Sequence, residues 1–290
     1  MPLQTRGHPA KPMPRLSVLI PASNEEALIR TCLEAVVRSA WHREEPFETI
    51  VISNGSRDRT VAETLALERQ FSETGLDLRV LEREEGGKLA ALNAGDAVAR
   101  GDIRVYLDAD VEVSKNVLSQ VFDALDTEEP RYASGTLVLA EADSWATRAY
   151  ARIYEQVPFM RHGVPGAGLF AVNSAGRTRW AVFPDIISDD TFVRLSFRPE
   201  ERVSVPATYT WPLVEGWPNL VRVRRRQNAG VDEIREVYPE LLGNDDKPAF
   251  TLRDKLKLAL QDPIGFAVYA GVAMAVRLPE RQASGWTRGR

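Results

Sequence analysis

Four short apolar runs punctuate the first 107 residues: "LSVLIPA" at 16–22, "FETIVIS" at 47–53, "LDLRVLER" at 76–83 and "RVYL" at 104–107. Between them the apolar residues recur at helical spacing, as at Leu28, Ile29, Cys32, Leu33, Val36 and Val37. A strand apolar on both faces needs cover above and below, and the helices between the runs supply it. The pattern therefore prescribes an α/β fold with a mixed, mostly parallel central sheet flanked by helices. Helices are expected over residues 25–40, 60–71, 88–100 and 114–125, with Ser56 or Asp58 capping the second and Ser114 the last. Sheets of this kind bind ligands at the carboxyl ends of their strands.

The fourth run does not end cleanly. "RVYLDADVEV" reads as one strand over residues 104–113, yet Asp108 and Asp110 interrupt it. Charges are rarely left unpaired in an interior. Two carboxylates one residue apart at a strand end suit a divalent cation shared with a phosphate ligand, and Mg2+ or Mn2+ prefers such oxygen donors. A pair of turn-capping acids has the same spacing, so the neighbours decide. "PASNEE" places Asn24 and Glu25 after the first strand, "SNGSRD" places Asn54 and Asp58 after the second, and "GGK" places Lys88 at a helix start, where an anion is favoured. Four polar clusters at four successive strand ends describe a site for a phosphorylated ligand and a metal.

The 290 residues suffice for one large domain or two smaller ones, and a net charge of −4 excludes the basic footprint of a general nucleic-acid binder. One cysteine, Cys32, excludes an internal disulfide framework and agrees with a reducing cytoplasm; its place in an apolar helical stripe assigns it to packing. The first fifteen residues lack a secretory apolar run, and no stretch reaches the roughly 18 apolar residues of a membrane span. In the second half, "RYASGTLVLAEA" and "GAGLFAVN" look like strands, while "WATRAYARIYEQV" and "SDDTFVRLSF" look like a helix and a helix start. Past Val203 no tidy periodicity remains.

Taken in order, "LSVLIPASNEE", "ETIVISNGSRDRT", "GGKLAALNAG", "GDIRVYLDADVEV" and "SDDTFVRL" resemble the inverting glycosyltransferases of family two, of non-processive type and GT-A fold, over roughly residues 14 to 200. The resemblance implies a nucleotide-diphospho-sugar donor, UDP-linked, across the sheet edge. Pro21, Ala22, Asn24, Glu25 and Asn54 would line the base and ribose pocket, Lys88 and Asp108 would touch the nucleotide, and Asp110 would hold Mg2+ or Mn2+ against the diphosphate. Asp190 corresponds to the catalytic base, with Asp189 supporting it. Gly166 and Gly168 fall where the family builds an acceptor floor from a glycine-rich turn, and His162 before them reads as a surface residue. The acceptor implied is a hydroxyl of a saccharide or lipid-linked saccharide, in cell-envelope polysaccharide assembly.

The chain departs from the family pattern at Asn54, commonly an acid, and at Asp189, commonly Glu. "RVRRRQ" at residues 222–227 lacks the tryptophan of the processive synthases; a solvated helix face is the default reading of this run, with contact to the leaving diphosphate or to anionic lipid headgroups as the alternatives, and Arg225 within it is placed among the acceptor or supporting residues. A sugar-1-phosphate nucleotidyltransferase would need glycines where "PASNEE" stands. A non-catalytic nucleotide-sugar binder is the other alternative.

The expected division is a lead-in at 1–14, a catalytic domain at 15–215 (nucleotide half 15–112, acceptor half 113–215) and a helical extension at 216–290. Within the extension, "KLKLALQDPIGFAVYAGVAMAVRLPER" joins basic flanks to an apolar middle, as interfacial anchors do. Peripheral contact with the inner face of the plasma membrane through residues 250–280, internal packing of 264–276, and pairing with a second copy all fit that pattern.

Overall fold

The computed structural model describes residues 13–41 and 43–278; most of the expected lead-in, residues 1–12, lies outside them. The strands are β1 (Leu16–Ala22), β2 (Phe47–Asn54), β3 (Asp77–Arg83), β4 (Ile103–Leu107), β5 (Glu112–Val113), β6 (Tyr132–Leu139), β7 (Leu169–Asn173) and β8 (Arg202–Trp211). The first helices are α1 (Ile29–Val37), α2 (Thr60–Leu65), α3 (Glu68–Glu73), α4 (Lys88–Val98), α5 (Val117–Leu125) and α6 (Trp145–Tyr154). They are followed by α7 (Pro158–His162), α8 (Ser174–Arg177), α9 (Asp189–Leu195), α10 (Trp217–Val237), α11 (Leu252–Gln261) and α12 (Pro263–Arg277).

All eight strands share one sheet in the order β3-β2-β1-β4-β7-β6-β8-β5. The first four in that order run parallel, with β1 between β2 and β4; β7 then pairs antiparallel to both β4 and β6. The two halves expected from the sequence are thus continuous through the β4–β7 ladder. The strand period sends Leu16, Val18 and Ile20 to one face, with α1 and α5, and Leu19 to the other, with α4, α9 and the aromatics Tyr106, Phe170 and Phe192. A third apolar cluster, around Tyr150, Leu220, Val268 and Val272, joins α6, α10 and α12.

Several boundaries depart from expectation. The 104–113 segment is two strands, not one: β4 stops at Leu107, the Asp108 N–H donates to Gly168 O (2.8 Å) and the Val111 N–H to Asp108 O (3.1 Å), and β5 joins β8 instead. The first helix begins four residues late, because Asn24 takes a left-handed φ of 57° and the Glu25 N–H donates to the Thr60 hydroxyl (2.7 Å). The helix expected over 60–71 is the pair α2 and α3, with Asp58 accepting the Thr60 N–H (3.0 Å). Ser114 does not cap α5, which starts after Asn116. Past Val203, where no tidy periodicity remains, lie most of the ten-residue β8 and, within the expected helical extension, the 21-residue α10.

Within the C-terminal segment, the 264–276 run forms most of α12 and packs inward through Gly265, Val268 and Val272. Arg152 of α6 grips Asp262, the α12 cap, at 2.7 Å. No described helix is long and apolar enough to cross a membrane.

Candidate active site

Parallel strands deliver their carboxyl ends to one rim. The β1 end contributes Pro21 and Ala22 and the loop beyond it Asn24 and Glu25. The β2 end contributes Asn54, the loop before α4 gives Gly86 and Gly87 ahead of Lys88, and the turn after β4 gives Asp108 and Asp110. All of these line one open pocket of about 990 Å3. The loops after β1 and β2 are stapled together: the Arg57 N–H donates to Asn24 Oδ1 (2.8 Å), the Glu26 N–H to Asp58 Oδ2 (3.1 Å) and the Arg59 N–H to Glu26 Oε2 (3.0 Å). Asn54 is buried, and its Oδ1 has no hydrogen-bond partner.

A second, smaller pocket of about 190 Å3 adjoins the first and is lined by Asp190, Gly166, Gly168, Phe170 and Trp211. Lys88, Asp108 and Asp189 line both pockets. The Lys88 ammonium lies 2.8 Å from Asp108 Oδ1 and 3.1 Å from Asp189 Oδ2, so the wall between the pockets is a three-residue ion network. Burial alone would lower the Lys88 pKa, but Asp108 and Asp189 more than reverse it and hold the side chain charged.

Asp189 and Asp190 open α9, where the helix dipole favours negative charge. Asp190 Oδ1 accepts the Thr191 N–H at 2.6 Å. Its pKa is pushed up to about 6, by burial first and Asp189 second, against the opposing pull of Lys88. A carboxyl group with that affinity can take a proton near neutral pH. The glycine turn beneath it is sterically obligatory. Gly166 and Gly168 hold φ of 69° and 74°, and a Cβ on Gly166 would lie 1.8 Å from the hydroxyl of buried Tyr132. His162 stands exposed at the end of α7, as its surface assignment expected.

One assignment is corrected by position. Arg225 points away from both pockets and donates to the carbonyls of Ala275 (3.1 Å) and Leu278 (3.0 Å), closing the end of α12. The same run reaches the cleft through Arg222 and Arg226, accompanied by Val223 and Gln227. Those four share one face of α10 at one- and four-residue spacing. That spacing was the available signal for Arg222 and Arg226. Trp211, also absent from the expected set, enters because β8 brings it beside Gly168.

Among the described residues no group of three or more His, Cys, Asp or Glu could hold a metal by itself. Asp108 is engaged by Lys88, while Asp110 faces the larger pocket. So sparse a set of oxygen donors does not cage an ion. It fits a cation such as Mg2+ or Mn2+, which usually keeps waters and substrate phosphates in its shell.

The architecture recurs in solved proteins. The mannosyltransferase PcManGT from Pyrobaculum calidifontis, in complex with GDP-Man and Mn2+, superposes with a TM-score of 0.58 at 20% identity, covering 91% of this chain and 75% of that one. Glucosyl-3-phosphoglycerate synthase from Mycobacterium tuberculosis, in complex with Mn2+ and UDP-glucose, gives 0.52 at 22% identity, covering 82% and 81%. The fold is GT-A. Among curated sequences, the dolichyl-phosphate beta-glucosyltransferase of Drosophila melanogaster is 31% identical over 180 residues, 58% of this chain and 53% of that protein. The matched stretches span 24% to 53% of the curated relatives' own lengths. The sequence model described as Glycosyl transferase family 2 matches residues 17–177, more than half of the chain, and the protein belongs to that family.

Proposed function

We propose that the protein is a metal-dependent inverting glycosyltransferase that moves a sugar from a UDP-linked donor to a hydroxyl of a saccharide or lipid-linked saccharide. One observation carries this proposal. The diphosphate-side acid, Asp110, and the candidate base, Asp190, line different pockets on opposite sides of the Lys88–Asp108–Asp189 network. Inversion asks for that division, because the acceptor oxygen attacks the face opposite the departing diphosphate.

In the larger pocket, Pro21, Ala22, Asn24 and Glu25 receive the base and ribose, with Asn54 behind them in the lining. Lys88, at the first turn of α4, and the Arg222 and Arg226 side chains present cations to the diphosphate. Asp110 would hold Mg2+ or Mn2+, which supplies Lewis-acid stabilisation of the charge that builds on the departing diphosphate. In the smaller pocket, Trp211 and the Gly166–Gly168 turn position the acceptor sugar. Asp190 removes the hydroxyl proton as the new C–O bond forms and the bond to the diphosphate breaks.

The test is nucleotide release from a panel of nucleotide sugars with Mn2+ or Mg2+, paired with calorimetry of donor uptake. Asp190→Asn is expected to lower turnover by on the order of 10²-fold or more while donor uptake stays near its wild-type value. Asp110→Ala is expected to lose metal-assisted donor uptake as well. Near-wild-type turnover in Asp190→Asn removes that residue from the base role. Uptake without hydrolysis or transfer by the unaltered protein points to a nucleotide-sugar binder instead.

A further inference from the structure

We propose that α11 is an interfacial helix that seats the protein on an anionic lipid surface. Its outward face carries Leu252, Leu256 and Leu260 at 72%, 57% and 85% exposure, whereas Leu258 on the opposite side is only 8% exposed. Residues four apart stack along one stripe of a helix, so the three leucines form a continuous apolar row. At about 100° per residue, Arg253 and Lys257 fall on one edge of that row and Lys255 on the other. An apolar stripe bordered on both sides by cations is the pattern of helices that lie in a headgroup layer. The row continues into Ile264, also exposed, at the start of α12.

The helix cannot easily roll its leucines inward. Leu258 is buried against the body, Thr251 and Asp254 cap each other reciprocally at the amino end, and Asp262 at the junction with α12 is held by Arg152 at 2.7 Å. Asp262 is paired with Arg152, and the ionised Asp254 is the one acid within the helix, so Arg253, Lys255 and Lys257 leave it net positive. The whole chain carries a net charge of −4, so this basic rim is a local reversal of sign. That reversal selects the occupant. A second copy docking by twofold symmetry would bring like cations together, whereas anionic headgroups complement them and accept the leucines below.

The row on α11 is the principal membrane-contacting element, because α12 turns Gly265, Val268 and Val272 inward and adds only Ile264 and Met274 to the exposed large apolar side chains. The experiment is flotation of the full chain with vesicles of phosphatidylcholine alone and of phosphatidylcholine mixed with phosphatidylglycerol. Binding is expected to the mixed vesicles and to weaken as salt rises. The triple variant Leu252→Gln, Leu256→Gln, Leu260→Gln is expected to reduce the bound fraction at least several-fold. Arg253→Gln, Lys255→Gln and Lys257→Gln together are expected to remove the preference for phosphatidylglycerol. Unchanged melting temperature and donor hydrolysis in both variants establish that folding and the catalytic site are intact, keeping this test separate from the glycosyltransferase proposal. Failure of the unaltered protein to float with mixed vesicles overturns the inference. So does equal binding by the leucine variant, or a concentration-dependent dimer that the leucine variant abolishes.

Discussion

The Lys88 ammonium faces Asp108, Asp189 and, more distantly, Asp190, and its charge opposes the burial and the Asp189 charge that raise the proton affinity of the candidate base. Asp190 must be ionised to accept a proton, so kcat/KM is expected to rise as pH passes about 6 and then level off. In Lys88→Met the opposing cation is gone while burial and Asp189 remain, so the rising limb is expected to move to higher pH, whatever happens to its height. A limb that stays in place in pH-rate profiles would remove Lys88 from this role. Most residues lining the larger pocket were legible in the sequence because Asn24, Asn54, Asp108 and Asp110 are polar groups just past the end of an apolar run, where a sheet has no structural use for them, and Lys88 opens a helix after two glycines. Arg222 and Arg226 were not singled out within a run of four arginines. Composition cannot say which of these faces the cleft, and the phase of α10 is fixed by the buried Leu220, Gly230 and Ile234.

At the scale of elements, the glycine turn between α7 and β7 makes the sharpest demand. Gly166→Ala adds a methyl group 1.8 Å from the Tyr132 hydroxyl at a φ of 69°, and is expected to cost roughly 2–4 kcal/mol in denaturant unfolding, with a loss of transfer activity. Gly75→Ala is the control. Its φ is 78° but nothing lies within 4 Å of the added methyl, so only the backbone contribution of about 1 kcal/mol is expected. Equal losses in the two variants would show that contact with Tyr132 is not the cause. The parallel strands were readable from short segments rich in Val, Ile and Leu, continuous in β1 and broken by Asp77, Arg79 and Glu82 in β3. β8 was not: Pro206 and a register shift between Ser134 and Thr136 on its partner obscure the alternation. The bounds of α10 within the expected helical extension were not readable, since a face of Arg222, Arg226 and Gln227 lines the cleft and replaces the apolar stripe that announces a helix.

Across the whole molecule, the two ends of the sheet carry different electrostatics. At the amino ends of the strands, fully buried Glu48 accepts from the Ser17 hydroxyl (2.8 Å), the Arg100 N–H (2.6 Å) and the Arg100 guanidinium (2.9 Å). Burial by itself would raise its pKa, but these donors win and lower it. A folded-state pKa below the unfolded value of about 4.3 gives stability that is complete above that value and is lost as pH falls through the lower one. Glu48→Gln is therefore expected to be less stable at neutral pH and to show a flatter stability curve below about pH 5 in denaturant titrations. An unchanged acid slope would place the sensitivity elsewhere. The carboxyl ends of the strands carry the working charges, and there the ionic partition links two compartments. In the proposed reading, a diphosphate that reaches the Lys88 ammonium diverts part of its pull from Asp190 and raises that carboxylate's proton affinity, to the extent that its charge exceeds that of the cation bound with it. The kcat limb is then expected to titrate at higher pH than the kcat/KM limb, and coincident limbs would show that a loaded donor does not reach Asp190 through Lys88.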